Sequence, residues 1–122
     1  MDQAVILSTA RTAIGKAYRG SFNDTDAPTL ASHAIKASIN KSGVEPDEIE
    51  DVIMGAAVQQ GTQGYNIGRL SAIASGLPTQ VPGMSVDRQC ASGLMAIAIG
   101  AKQIACKEMD VVVGGGVESI SL

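Results

Sequence analysis

A chain of 122 residues is long enough for one small domain with a modest core. Its only aromatics are Tyr18, Phe22 and Tyr65, so that core has to be aliphatic and finely packed. The formal net charge of −3, with no basic cluster, argues against a partner with a phosphate backbone, so no nucleic acid is expected.

The chain begins Met1-Asp2-Gln3, with an acid where a signal peptide would carry positive charge. Ala4 to Ser8 is a compact apolar run and predicts a buried central strand. Arg11 to Lys16 and then Arg19-Gly20-Ser21 read as a loop that holds an anion, braces a subunit contact or is simply solvated. Asp26 is a predicted N-cap with Pro28 in the first turn. The helix it opens is predicted over about Pro28 to Lys41 and is ended by Gly43. Leu30, Ala31, Ala34, Ile35 and Ile39 form its apolar stripe, and His33 on it reads as a surface or boundary residue.

After a turn at Pro46 to Glu50, Asp51 to Val58 is the second predicted strand. The polar loop Gln59 to Asn66 leaves the end of that strand, the usual address of functional loops in α/β proteins. A second helix is predicted over Ile67 to Ser75, stopped by Gly76 and Pro78. Met84 to Gln89 reads as a short strand and its exit.

Cys90 then stands at the opening of a third helix, predicted to run to about Lys107. Free N–H groups and the positive end of the helix dipole converge at such a junction, which favours the thiolate and hence a nucleophile. The competing reading is a small, packed apolar residue. From Ala91 to Ala101 the only polar side chain is Ser92, so the helix is expected to be buried on all sides. The wholly apolar run is too short to span a bilayer, and polar residues flank it closely, so no membrane is expected. Cys106 is sixteen residues further along. At 1.5 Å rise that is about 24 Å, far beyond the roughly 7 Å a disulfide tolerates. With one histidine besides, no zinc quartet is available, and a reduced, intracellular protein is expected.

Asp110 to Val113 is the last predicted strand, followed by a glycine-rich turn from Gly114 to Ser119. The three glycines lack the spacing of a phosphate-binding loop, so closely packed backbone beside the Cys90 helix is the better account. Glu118 reads as a turn-holding group, and Arg69 as either an intersubunit brace or a cap for local carbonyls. Strand and helix alternate throughout. This predicts an α/β layered domain, a mostly parallel sheet flanked by helices, with a buried helix that needs a further layer outside it.

Four motifs carry a family resemblance. Arg11-Thr12-Ala13-Ile14-Gly15-Lys16 is similar to the thiolase R-T-P-I-G-K/R motif, with Ala13 for proline. Gly64-Tyr65-Asn66-Ile67-Gly68-Arg69 resembles the family's glycine-glutamine-asparagine loop and following arginine. Asp87 to Leu94 resembles the segment around the acyl-accepting cysteine. Gly115 to Ser121 resembles G-G-x-E-x-M-S, with Ile120 for methionine. They follow the family's order along the whole chain.

The resemblance implies a thiolase-like layered fold, of which this is an incomplete first half. It implies a 3-oxoacyl-CoA thiolase or acetyl-CoA acetyltransferase in which Cys90 is the nucleophile and its backbone N–H helps hold the oxyanion. The substrates implied are acyl-CoA and CoA, with no further cofactor. A homodimer or homotetramer and a cytoplasmic setting are expected. The family's activating histidine, second cysteine and coenzyme A-binding loop lie further along than residue 122, so this chain is expected to be the first portion of a longer enzyme. The alternatives kept open are a decarboxylating condensing enzyme of the same superfamily and a non-catalytic assembly module.

Overall fold

The computed structural model describes residues 1–122. Its ordered elements are α1 (Ala27–Ser42), β1 (Asp51–Gly55), α2 (Ile67–Ala74), β2 (Gly83–Val86), α3 (Ser92–Ala105) and β3 (Val112–Gly116). Short 3-10 turns occupy Pro46–Glu48 and Gly61–Gln63. The three strands form one parallel sheet in the order β2-β1-β3, with Ile53 paired to Met84 on one side and to Gly114 on the other.

Topology decides which face each helix covers. The β1-α2-β2 connection moves one way across the sheet and β2-α3-β3 moves the other, so right-handed crossovers put α2 and α3 on opposite faces. The alternation of side chains along β1 shows the result. Val52 and Met54 join Ile35, Ile39, Ile67 and Ala72 in the core under α1 and α2. Ile53 points the other way, toward Gly100 of α3, and Asp51 on that side accepts from Gln103 Nε2 at 3.2 Å. Every residue of β1 is therefore buried, as a central strand covered on both faces requires.

The first helix forms for the expected reasons. Asp26 Oδ1 accepts from the Thr29 N–H at 2.7 Å, and Gly43 closes the helix in the left-handed region at φ 75°. The glycine run at 114–116 is strand, not turn. A Cβ at Gly114 would lie 2.9 Å from the Ile97 Cα, so the run lets α3 settle directly onto β3.

Two further expectations need correction. Ala4 to Ser8 is not a strand. No residue before Lys16 makes a backbone–backbone hydrogen bond, and Val5, Ile6 and Leu7 are exposed. A strand exists only beside a hydrogen-bonding neighbour, and the segment pairs with neither open edge of the sheet. It instead runs between helices on opposite faces. Ser8 Oγ contacts the Ser38 carbonyl at 2.6 Å, Lys41 Nζ reaches the Thr9 carbonyl at 3.3 Å, and Gln3 and Ala4 lie by Ala98 and Ala101. Nor is α3 buried on all sides. Ser92, Ala96 and Gly100 face the sheet and are buried, whereas Leu94 is exposed, and so is the Ile97 side chain although its backbone lies on Gly114.

The cap on α1 makes a pH prediction. Hydrogen bonds from the Thr29 side chain and N–H hold the Asp26 carboxyl below its ordinary value of 3.8. A depressed carboxylate stabilises the fold fully above its unfolded pKa and loses that contribution as pH falls through the lower folded value. Asp26→Ala should therefore lower the melting temperature near neutral pH, by a cap's worth of about 1 kcal/mol, and cease to matter in strong acid. Thermal melts of both proteins across the acid limb check this.

Candidate active site

The carboxyl ends of all three strands gather the functional loops. β2 ends at Val86, and the chain reverses into α3 through Asp87 to Ala91. Gln89 adopts φ 51°, a left-handed conformation uncommon for a residue with a Cβ. Five hydrogen bonds hold that turn, one of them from the Ser92 N–H to the Gln89 carbonyl at 3.1 Å. The Gln89 N–H donates to Asp87 Oδ1 at 2.8 Å, the Arg88 N–H to Ser92 Oγ at 2.8 Å, the Ser92 hydroxyl to the Gln89 carbonyl at 2.6 Å, and the Ala91 N–H to the Arg88 carbonyl at 3.1 Å.

Cys90 sits at the outside of this turn. It precedes α3 by two residues instead of opening it, because the left-handed Gln89 and the 88–91 turn come first. Its side chain is exposed and free of disulfide, and its N–H has no acceptor within the chain. A sharp strand-to-helix turn that exposes a nucleophile is a recurrent solution in acyl-transfer enzymes. Here it brings a thiol and an unengaged backbone donor together on one residue. Cys106, by contrast, is the C-cap of α3, a helix length away.

The start of α3 is wedged against the sheet. A Cβ on Gly55, the last residue of β1, would lie 2.2 Å from the Ser92 carbonyl carbon and 2.6 Å from the Gly93 N. No side chain fits there, so the Cys90 turn has a fixed height above the end of β1.

A second clasp joins the neighbouring loops. Glu118, just after β3, accepts from the Ala57 and Val58 N–H groups, each at 2.9 Å, and from Gln63 Nε2 at 2.9 Å. Gln63 is 1 % exposed, and its Oε1 in turn accepts from the Ser119 N–H. Glu118 is thus a backbone-holding group, as its glycine-rich surroundings predict. Gln63, which sequence reasoning passed over within a polar loop, is the buried pivot of that loop. Arg69 caps local carbonyls, donating to Thr79 at 3.0 Å and to Val81. Asn66, in the left-handed region at φ 65°, caps α2 and donates to the Gly83 carbonyl at 2.8 Å.

His33 is exposed on α1, across the sheet from α3, and takes no part in this arrangement. No three His, Cys, Asp or Glu side chains group as a metal site would need. No helix is long and apolar enough to cross a membrane.

Comparison with known proteins bears on this geometry. Residues 4–122 match the family model described as thiolase, N-terminal domain. The chain is 41 % identical over 121 residues to an acetyl-CoA acetyltransferase of Cupriavidus necator, covering 99 % of this chain and 30 % of that protein. It is 39 % identical over 120 residues to a peroxisomal 3-ketoacyl-CoA thiolase of Arabidopsis thaliana, covering 98 % of this chain and 26 % of the other. The crystal structure of the Bacillus anthracis acetyl-CoA acetyltransferase superposes with a TM-score of 0.93 at 36 % identity, over 99 % of this chain and 30 % of that one. The chain therefore spans about 30 % of the length of such relatives.

The Glu118 clasp is testable by hydrogen exchange. Glu118→Ala leaves the Ala57 and Val58 N–H groups without their charged acceptor. Their amide exchange should accelerate at least roughly tenfold, with Glu118→Gln intermediate, while amides in β1 stay protected.

Proposed function

Because the chain belongs to the thiolase family, we propose that Cys90 is the acyl-accepting nucleophile of a coenzyme A-dependent acyltransferase. Its substrates are acyl-CoA and CoA. The relatives at about 40 % identity carry the names acetyl-CoA acetyltransferase and 3-ketoacyl-CoA thiolase, and both describe one reversible chemistry. The observation that carries the reading is the Cys90 turn itself. It offers an exposed thiol, a free N–H on the same residue and a rigid seat against the end of β1.

In the thiolytic direction the Cys90 thiolate attacks the ketone carbon of a 3-oxoacyl-CoA. The bond from that carbon to the neighbouring α-carbon breaks, and its electron pair leaves on the acetyl-CoA fragment, which takes up a proton. The acyl group stays on Cys90 as a thioester. The thiol of a second CoA then attacks that thioester, and the cysteine is released as acyl-CoA departs. Covalent catalysis divides one difficult displacement into two easier ones. Each passes through a tetrahedral oxyanion, and the N–H of the nucleophile's own residue is a natural donor to it. In the reverse direction the same acyl-cysteine, loaded from acetyl-CoA, condenses with a second acetyl-CoA. The coenzyme A thioesters are the reactants, so this reading assigns no other cofactor.

Proton transfer to and from the α-carbon needs an acid/base group near Cys90. His33 lies across the sheet, and Cys106 lies at the other end of α3. Residues 1–122 are proposed as the nucleophile-bearing part of the catalytic unit, with no turnover by themselves. The exposed Leu94 and Ile97 on α3 and Val5 to Leu7 beside it are apolar surface of the kind that other parts of an enzyme or a second subunit cover. A homodimer or homotetramer in the cytoplasm is the assembly this reading favours.

Intact mass before and after incubation of the complete gene product with acetyl-CoA tests the proposal. One acetyl group should be gained and should map to Cys90. Cys90→Ser should abolish the gain and lower turnover by at least about three orders of magnitude. A folded protein that gains no acetyl group would leave the fold with a non-catalytic role.

A further inference from the structure

The polar side chain that stands out in α3 does not serve the helix. Ser92 is 3 % exposed, yet the helix has no side-chain cap at its N-terminus. Its hydroxyl turns backward instead, donating to the Gln89 carbonyl at 2.6 Å and accepting from the Arg88 N–H at 2.8 Å. An alanine would suit the helix better by propensity, and a buried hydroxyl is tolerated only when bonded. The bonds Ser92 makes all lie in the turn that carries Cys90.

Asp87 grips the same turn from its other side, accepting from the Gln89 N–H at 2.8 Å. Together the two side chains engage both backbone polar groups of Gln89, the residue held at φ 51°. The Arg88 N–H is taken up by the same hydroxyl, and between Arg88 and Ser92 only the Cys90 N–H is left without an acceptor. Gly55 lets the Ser92 backbone sit hard against the end of β1, so the clasp is referenced to the sheet and not to a mobile loop.

We propose that Ser92, with Asp87, is a positioning residue for acyl transfer: the clasp on Gln89 aims the free Cys90 N–H at the oxyanion that forms on the acyl carbon. This inference rests on the reading of Cys90 as the acyl acceptor. It does not give Ser92 any contact with substrate.

The test compares two reactions at one thiol in the complete gene product. Acylation of Cys90 by acetyl-CoA passes through an oxyanion and draws on the N–H. Alkylation by iodoacetamide is a direct displacement at carbon and forms no oxyanion. Both are followed by mass spectrometry of the Cys90 peptide, which keeps Cys106 out of the readout. Ser92→Ala should slow acylation about 100-fold, as loss of an oxyanion donor does, while alkylation stays within about threefold of wild type.

Acylation of Ser92→Ala at the wild-type rate overturns the proposal. So does an equal slowing of both reactions, which a merely structural role would produce. If Ser92→Ala does not fold by circular dichroism, Asp87→Ala removes the exposed side of the clasp. The same split, about tenfold, is then expected, and its absence overturns the proposal. Should wild-type Cys90 alkylate but never acylate, the acyl-acceptor reading fails and takes this inference with it. Wild-type acylation with no split in the variants leaves that reading standing and removes this inference alone.

Discussion

The structure depends on how closely the start of α3 lies on the carboxyl end of the sheet. Helix and sheet normally pack through side chains, but here the backbone of Ser92 and Gly93 lies where a Cβ of Gly55 would have to be. A β-carbon at 2.2 Å from a carbonyl carbon is not a contact that relaxation of a rotamer relieves. The same economy recurs along β3, where Gly114 meets the Ile97 backbone and Gly116 meets Gly93. The glycines remove the flexible layer that would otherwise separate the helix after Cys90 from the rigid sheet.

Rigidity at that point matters because the chemistry proposed for Cys90 is electrostatic in its most demanding step. A donor lowers a barrier only when it already faces the position where charge develops. A left-handed residue such as Gln89 would relax in a free loop, at a gain of about 1–2 kcal/mol. It persists here because side chains on both sides bind its backbone and because the helix behind it cannot move. The Gln63–Glu118 pair does comparable work for the loops leaving β1 and β3, and the Ala56 N–H, donating to the Val86 carbonyl at 3.0 Å, ties the end of β2 to the same rim.

The apolar surface left open on this chain has a consistent placement. Leu94 and the side chain of Ile97 are exposed on α3, and Val5 to Leu7 lie along the segment that passes beside it. Strand-like composition without a lateral neighbour lies beside a helix that is apolar on both sides with one side covered.

Local chemistry was enough to read the alternation of helices and strands from Ala27 onward, the Asp26 and Gly43 caps and the glycine run as a packing surface. Those features depend on near neighbours in sequence: periodicity, a cap three residues from its donor, a motif a few residues long. The tertiary structure decided the rest. Whether Ala4 to Ser8 forms a strand depends on a pairing partner, which composition does not contain. Cys90 lies before the helix and not in it because Gln89 is held left-handed by Asp87 and Ser92. Gln63 became visible only as a pivot between chain segments fifty-five residues apart. Hydrogen bonds across such separations are set by packing, and no local pattern announces them.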